Sequence, residues 1–324
     1  MTNMTRRNLV LSATALGICG LAGNAAPRSA LATASQPGSG LAPRGDRFGV
    51  GVYNTQQVAE ELRYIEANVR PSDENRRKRI LITGSTAWLG QLAAAHLLRR
   101  GHYIIAHARN EPRAAEVLRD LPELDTVVVG NLLNLGETRS LAEQINALGR
   151  FDVIIHNSGE YGLPDAEILN ANSLSPYLLT TLVDTPREAM VYLTSSLHLG
   201  GELKLDELRN GGTNVNYNDS KLHMAILATA VARRRPNLRV NAVAPGWVPT
   251  VMGFHNGPYA PDDLRAGYMT QVQLSERADP ASQKTGKFLF HQNEETSVNS
   301  KVYDEKAQNE LLEAFERRTG ASLG

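Results

Sequence analysis

Arg79-Ile80-Leu81-Ile82-Thr83-Gly84-Ser85-Thr86-Ala87-Trp88-Leu89-Gly90 is the stretch that decides how this chain folds. A short apolar run ends in a glycine-bearing turn, and a helical pattern from Leu89 to Arg100 follows and closes at Gly101. A strand that runs into a helix through such a turn aims backbone amides and the helix N-terminus at one point, where a pyrophosphate fits. Alone, the turn is a weak signal, because a middle glycine is missing. Read as Thr-Gly-x-x-x-Gly-x-Gly, the departure is Trp88; read as Thr-Gly-x-x-Gly-x-x-Gly, it is Ala87. Either one puts a side chain where backbone otherwise approaches the phosphates, and Trp88 fits only with its ring turned away from them.

The pattern continues downstream. Tyr103-Ile104-Ile105-Ala106, Thr126-Val127-Val128-Val129, Phe151-Asp152-Val153-Ile154-Ile155, Ala189-Met190-Val191-Tyr192-Leu193 and Leu238-Arg239-Val240-Asn241-Ala242-Val243 are further short apolar runs, most of them separated by helical stretches. Strands alternating with helices at this spacing predict an α/β fold: a single doubly wound parallel sheet (a Rossmann fold) with helices on both faces, over residues 79–324. Of the 324 residues, 42% are hydrophobic and 21% charged, enough for a real core. Lys plus Arg and Asp plus Glu are equal at 34 each, so the basic excess of a nucleic-acid binder is missing. Cys19 is the single cysteine, which excludes intrachain disulfides and cysteine-ligated metal sites. No metal is expected.

Upstream, the chain changes character. No acidic residue precedes Asp46, and Thr5-Arg6-Arg7-Asn8-Leu9-Val10-Leu11 leads into uncharged, mostly apolar residues as far as Pro27. With Ala30-Leu31-Ala32 beyond them, residues 1–34 have the layout of a secretory signal, and the paired arginines resemble the twin-arginine export type. A transit peptide, a lipoprotein signal and a spanning helix fit less well. The expectation is a periplasmic protein with no stable membrane span once the signal is removed; the alternative is a cytoplasmic one. Residues 35–47 read as a linker. Val58, Leu62, Ile65 and Val69 then fall at helical spacing behind Asn54 as a candidate cap, so 35–78 is expected to be linker plus one amphipathic helix.

Two further signals bear on chemistry. The second strand ends in His107-Ala108-Arg109-Asn110, with Arg113 a turn later. An NAD-preferring fold usually places a carboxylate here, whereas a guanidinium matches a 2′-phosphate, so NADP is expected over NAD. Tyr217-Asn218-Asp219-Ser220-Lys221 puts a phenol and an ammonium four residues apart, on one face of a helix. A free tyrosine has a pKa of about 10, and a nearby cation lowers it. The pair alone is common by chance.

Its neighbours make it specific. His156-Asn157-Ser158-Gly159 ends the fourth strand, Asn172 precedes Leu178-Leu179-Thr180, and Thr194-Ser195-Ser196 ends the fifth strand. Pro245-Gly246-Trp247-Val248-Pro249-Thr250 follows the sixth. With the glycine turn and the Tyr-Lys pair these make six elements in the order of the short-chain dehydrogenase/reductase family, and the chain resembles its compact branch from about Arg79 to Gly320. The long interval between Ser196 and Tyr217, with a loop expected around Gly200 to Thr213, resembles the retinol-dehydrogenase-like and ketoreductase-like members.

The resemblance implies an oxidoreductase that moves a hydride between NADP(H) and a small-molecule ketone or secondary alcohol. Tyr217 would be the proton donor or acceptor, Lys221 would lower its pKa, Ser196 would hold the reacting oxygen, and Asn172 would support the helix and a proton path. Gly84, Ser85, Thr86, Trp88, Leu89, Gly90, Arg109, Asn110, Asn131, Leu132, Asn157, Ser158 and Gly159 would hold the cofactor with Tyr217 and Lys221. Pro245 and Gly246 would belong to the cofactor loop, in which the Val248 backbone and the Thr250 hydroxyl would orient the carboxamide. Asn131 and Ser158 depart from the family's usual Asp and Ala. His198 is expected to face solvent or pack a loop. Tyr161, His198, Trp247, Phe254 and Tyr259 are candidates for an apolar substrate pocket, and a homo-oligomer is compatible. The rival reading is a non-catalytic dinucleotide sensor on the same fold.

Overall fold

The computed structural model describes residues 48, 50, 53–72, 76–277 and 283–324. The expected export signal, Cys19 and linker residues 35–47 lie outside the described residues. The strands are β1 (Arg79–Ile82), β2 (Tyr103–Ala108), β3 (Thr126–Val129), β4 (Val153–His156), β5 (Ala189–Leu193), β6 (Arg239–Ala244), β7 (Phe288–Phe290) and β8 (Asn293–Glu294). They form one sheet in the order β3-β2-β1-β4-β5-β6-β7-β8. Every neighbouring pair is parallel except β7 with β8. The order reverses between β1 and β4, so their carboxyl ends open the crevice where ligands of such sheets sit.

Side-chain alternation builds two cores. Ile80 and Ile82 of β1, Val153 and Ile155 of β4, and Val191 and Leu193 of β5 face one side, while Leu81, Ile154, Met190 and Tyr192 face the other. The first side is covered by α1 (Gln56–Asn68), α2 (Trp88–Arg99), α3 (Glu111–Asp120) and α9 (Leu264–Glu276). The second carries α4 (Leu135–Ala147), α6 (Ser175–Leu182), α8 (Tyr217–Arg234) and α10 (Glu305–Thr319). The short helices α5 (Asp165–Leu169) and α7 (Leu205–Arg209) complete the set, and a π turn, Asn170–Leu174, joins α5 to α6. The expected doubly wound sheet is present, with β7 and β8 added; runs of three and two residues are too short to carry a readable period.

Helix α1 forms where its apolar spacing predicts, with Val58, Leu62 and Ile65 buried. Its cap is Thr55, whose side chain accepts from the Val58 amide; Val69 already lies past the last turn. Asn54 has another task, described below. Among the described residues no helix is long and apolar enough to cross a membrane.

Candidate active site

Helix α8 starts where it does because Asn216 and Asp219 form a capping box, each side chain accepting from the other's backbone amide at 3.1 Å. Asp219 also accepts from the Glu202 amide at 2.7 Å, which anchors the preceding loop. Tyr217 is thereby the first helical residue, and Lys221 lies one turn further on. The Lys221 ammonium is 5.3 Å from the Tyr217 ring centre and reaches the Leu193 carbonyl at 3.4 Å. Gly159 makes this possible, since a Cβ there would lie 2.9 Å from Lys221 Nζ.

The serine that meets Tyr217 is Ser195. Thr194 donates to the Lys221 carbonyl at 2.6 Å, and the Ser195 hydroxyl hydrogen-bonds Tyr217. Ser196, the expected partner, is exposed at the start of the 3-10 turn 196–200. Ser196 nevertheless lines the same cleft, so both members of the doublet reach it and only Ser195 bonds the phenol. The expected pKa effect on Tyr217 is also corrected. Burial, with the Tyr161 phenol beside it, pushes the Tyr217 hydroxyl above its ordinary value despite the Ser195 hydrogen bond, so it is a neutral acid. Burial brings Lys221 down to about 8, against the opposing pull of Glu160.

Asn172 sits in the π turn, fully buried. Its amide donates to the Glu160 carbonyl at 2.9 Å and to Ser220 Oγ at 3.1 Å, and its oxygen accepts from the Glu160 amide at 2.8 Å. It therefore joins the end of β4 to α8 without lining the cleft. Glu160 itself lines the cleft, with its carboxyl raised by burial and held back by Arg109. No sequence signal singled it out.

At the other end, Gly84 adopts φ +63°, and a Cβ there would come within 2.9 Å of Ser158 Cα. His107 accepts from the Gly84 amide at 2.9 Å through Nδ1, so Nε2 carries the proton to the Gly130 carbonyl at 2.8 Å. Burial lowers His107 to about 4, which keeps it neutral and the turn pinned. Trp88 takes φ 54°, the left-handed conformation a glycine would adopt freely, and its indole N–H is turned onto the Tyr53 carbonyl.

One cleft of about 660 Å³ connects these parts. Of the expected cofactor residues, Gly84, Thr86, Trp88, Leu89, Gly90, Arg109, Asn157, Ser158, Gly159, Tyr217, Lys221, Pro245, Gly246, Val248 and Thr250 line it. Ser85, Asn110, Asn131 and Leu132 are not among the lining residues. Ser85 is buried and donates to the Ile82 carbonyl at 2.9 Å, and Asn110 caps α3. Asn131 accepts from the Leu133 amide at 3.1 Å, and Leu132 is in the core. Tyr161 and Trp247 line the reactive end, Tyr161 edge-on to Tyr217 at 4.9 Å. Phe254, Tyr259 and His198 do not line it. His198 packs a loop, as expected: it is buried on Phe288, with ring centres 4.4 Å apart, and bonded to the Ser195 carbonyl at 2.7 Å.

A parallel sheet with a glycine turn at its switch point, feeding a Tyr-Lys-Ser cluster, defines a dinucleotide-binding oxidoreductase of the α/β class. The family model for short chain dehydrogenase matches residues 78–195. An uncharacterized oxidoreductase of Emericella nidulans is 36% identical over 256 residues, covering 76% of this chain and 98% of its own. A short-chain dehydrogenase of Penicillium rubens is 35% identical over 261 residues, covering 76% and 98%. A short chain dehydrogenase of Escherichia coli, solved with NADPH, superposes with a TM-score of 0.52 at 21% identity, over 69% of this chain and 99% of that one. The chain belongs to the short-chain dehydrogenase family and is an NAD(P)-dependent enzyme of it.

Proposed function

We propose that the protein reduces a ketone with NADPH, with Tyr217 as proton donor. The observation that carries this is the Ser195–Tyr217 hydrogen bond, with Lys221 behind it, in a cleft that Arg109 also lines. The residues fit a dinucleotide: Gly84, Thr86, Leu89 and Gly90, where the glycine turn runs into the start of α2, line the cleft, and a helix N-terminus suits a pyrophosphate. Arg109 has the charge and fork geometry for a 2′-phosphate. The structural relative solved with NADPH supports that choice.

When bound, the cofactor supplies the hydride that goes to the carbonyl carbon. The protein's own part is the proton and the charge. The Tyr217 hydroxyl, neutral through burial, gives its proton to the carbonyl oxygen. The Ser195 hydroxyl holds the same oxygen while negative charge builds on it. The Lys221 cation stabilises the phenolate left behind, and Asn172 fixes Glu160 and α8 so that these groups stay aligned.

The test is turnover of a ketone panel with NADPH by the wild type and by Tyr217→Phe. We expect the variant to lose about 10²-fold or more in kcat, as for loss of a general acid, while still binding NADPH. Near-normal turnover in the variant would remove Tyr217 from the mechanism.

A further inference from the structure

The segment ahead of β1 lies outside the family match, which begins at residue 78, yet it reaches the cofactor end of the cleft. Asn54 is fully buried and accepts from the Trp88 amide at 3.1 Å. It also donates to Gln91 Oε1 at 2.8 Å. Ala87 has no side chain to cap α2, so Asn54 supplies the cap from 34 residues away. Thr55 donates to the Pro249 carbonyl at 2.7 Å, in the loop on the opposite wall. Glu61 binds Arg265 at 2.7 Å and Tyr268 at 2.7 Å, holding α1 against α9. The arm is thus bonded both to the glycine turn and to the loop after β6. Trp88, Val248 and Thr250 place both of these in the cleft wall.

Tyr53, beside these anchors, lines the cleft together with Thr86, Arg109 and Arg113. Its ring lies face-on to Arg113, with the guanidinium carbon 3.4 Å from the ring centre. Arg113 in turn donates to the Thr86 carbonyl at 2.8 Å and pairs with Glu116. The ring is therefore held against Arg113 in a wall of the cleft that Arg109 also lines, and its backbone carbonyl receives the Trp88 indole.

We propose that this arm is a working part of the dinucleotide site: Tyr53 contacts the phosphate-bearing adenosine end of the cofactor, and Asn54 and Thr55 tie the two cleft walls together so that release is slow. This rests on the dinucleotide reading of the cleft. Aromatic and cation–π contacts of this kind account for up to about tenfold in affinity.

The test is NADPH binding and release, followed by nucleotide fluorescence in stopped flow, with the thermal midpoint of each cofactor-free protein as a check on folding. Tyr53→Leu removes the ring and keeps the carbonyl for Trp88. It should weaken NADPH binding by about tenfold, mostly through a faster off-rate, while the cofactor-free midpoint falls by no more than about 2–4 °C for the lost Arg113 contact. Thr55→Val should also speed release, and Thr55→Ser should restore it. If the wild type binds NADPH and both Tyr53→Leu and Thr55→Val release it at the wild-type rate, the arm proposal is overturned and the cofactor reading stands. If the wild type binds neither NADPH nor NADH, both fall.

Discussion

Exchanging the two serines at the end of β5 for alanine, one at a time, separates two neighbours that the sequence makes look equivalent. Ser195→Ala removes a hydroxyl that hydrogen-bonds Tyr217 and also accepts from the Leu197 amide at 3.2 Å. Losing a donor aimed at developing negative charge costs about 10²–10³ in kcat, or about 3–4 kcal/mol of transition-state stabilisation. Losing the cap on the 196–200 turn costs about 1 kcal/mol of stability, which lowers Tm by about 2–4 °C in a domain of this size. Ser196 is exposed and has no such hydrogen bond to Tyr217. Its replacement should change stability by no more than about 0.5 kcal/mol and kcat by no more than about twofold. The assay is steady-state ketone reduction at saturating NADPH, with calorimetry of each variant. A hundredfold loss in Ser196→Ala beside near-normal turnover in Ser195→Ala would refute the assignment.

Three other outcomes are expected. Arg109→Ala should weaken NADPH binding by about 10- to 100-fold and leave NADH binding nearly unchanged, the loss of a charged hydrogen bond to phosphate being about 1.5–3 kcal/mol; titration with both nucleotides checks this, and equal losses would remove Arg109 from the 2′-phosphate site. Asp219→Ala leaves the Glu202 and Asn216 amides without their acceptor, so Tm should fall by several degrees, at about 1–3 kcal/mol, and kcat should fall with it as Tyr217 loses its fixed place at the start of α8. Lys221 loses its proton as pH rises through about 8, so the cation is present below that pH and lost above it. The kcat/KM for the dinucleotide should therefore decline roughly tenfold per unit above pH 8, a limb that a pH profile of Lys221→Gln should lack.

The fold and the residues that gather at the candidate site were legible because they depend on local chemistry. Apolar runs of period two, broken by helices, specify the sheet, and Gly84, Tyr217 and Lys221 act through conformational freedom or spacing that neighbouring residues already define. Asn157, Gly159 and Pro245 to Thr250 follow strand ends, so placing the strands placed them. The doublet Ser195-Ser196 carries no mark of which member bonds Tyr217; both line the cleft, and the choice depends on how the end of β5 is held by the Thr194 bond to α8.

By itself the sequence determined the doubly wound sheet, the order of the elements that line its candidate site and the cation at the end of β2, since each is written in residues close together in the chain. Only the tertiary structure decided what depends on distant contacts. Burial raises the Tyr217 phenol above its usual range, and the spacing to Lys221 does not overcome it. Asn54 caps a helix that begins 34 residues later, Thr55 rather than Asn54 starts α1, and Trp88, whose amide Asn54 accepts from, occupies a left-handed position beside a glycine turn. Desolvation and long-range hydrogen bonds are properties of the packed molecule, and no window of neighbouring residues contains them.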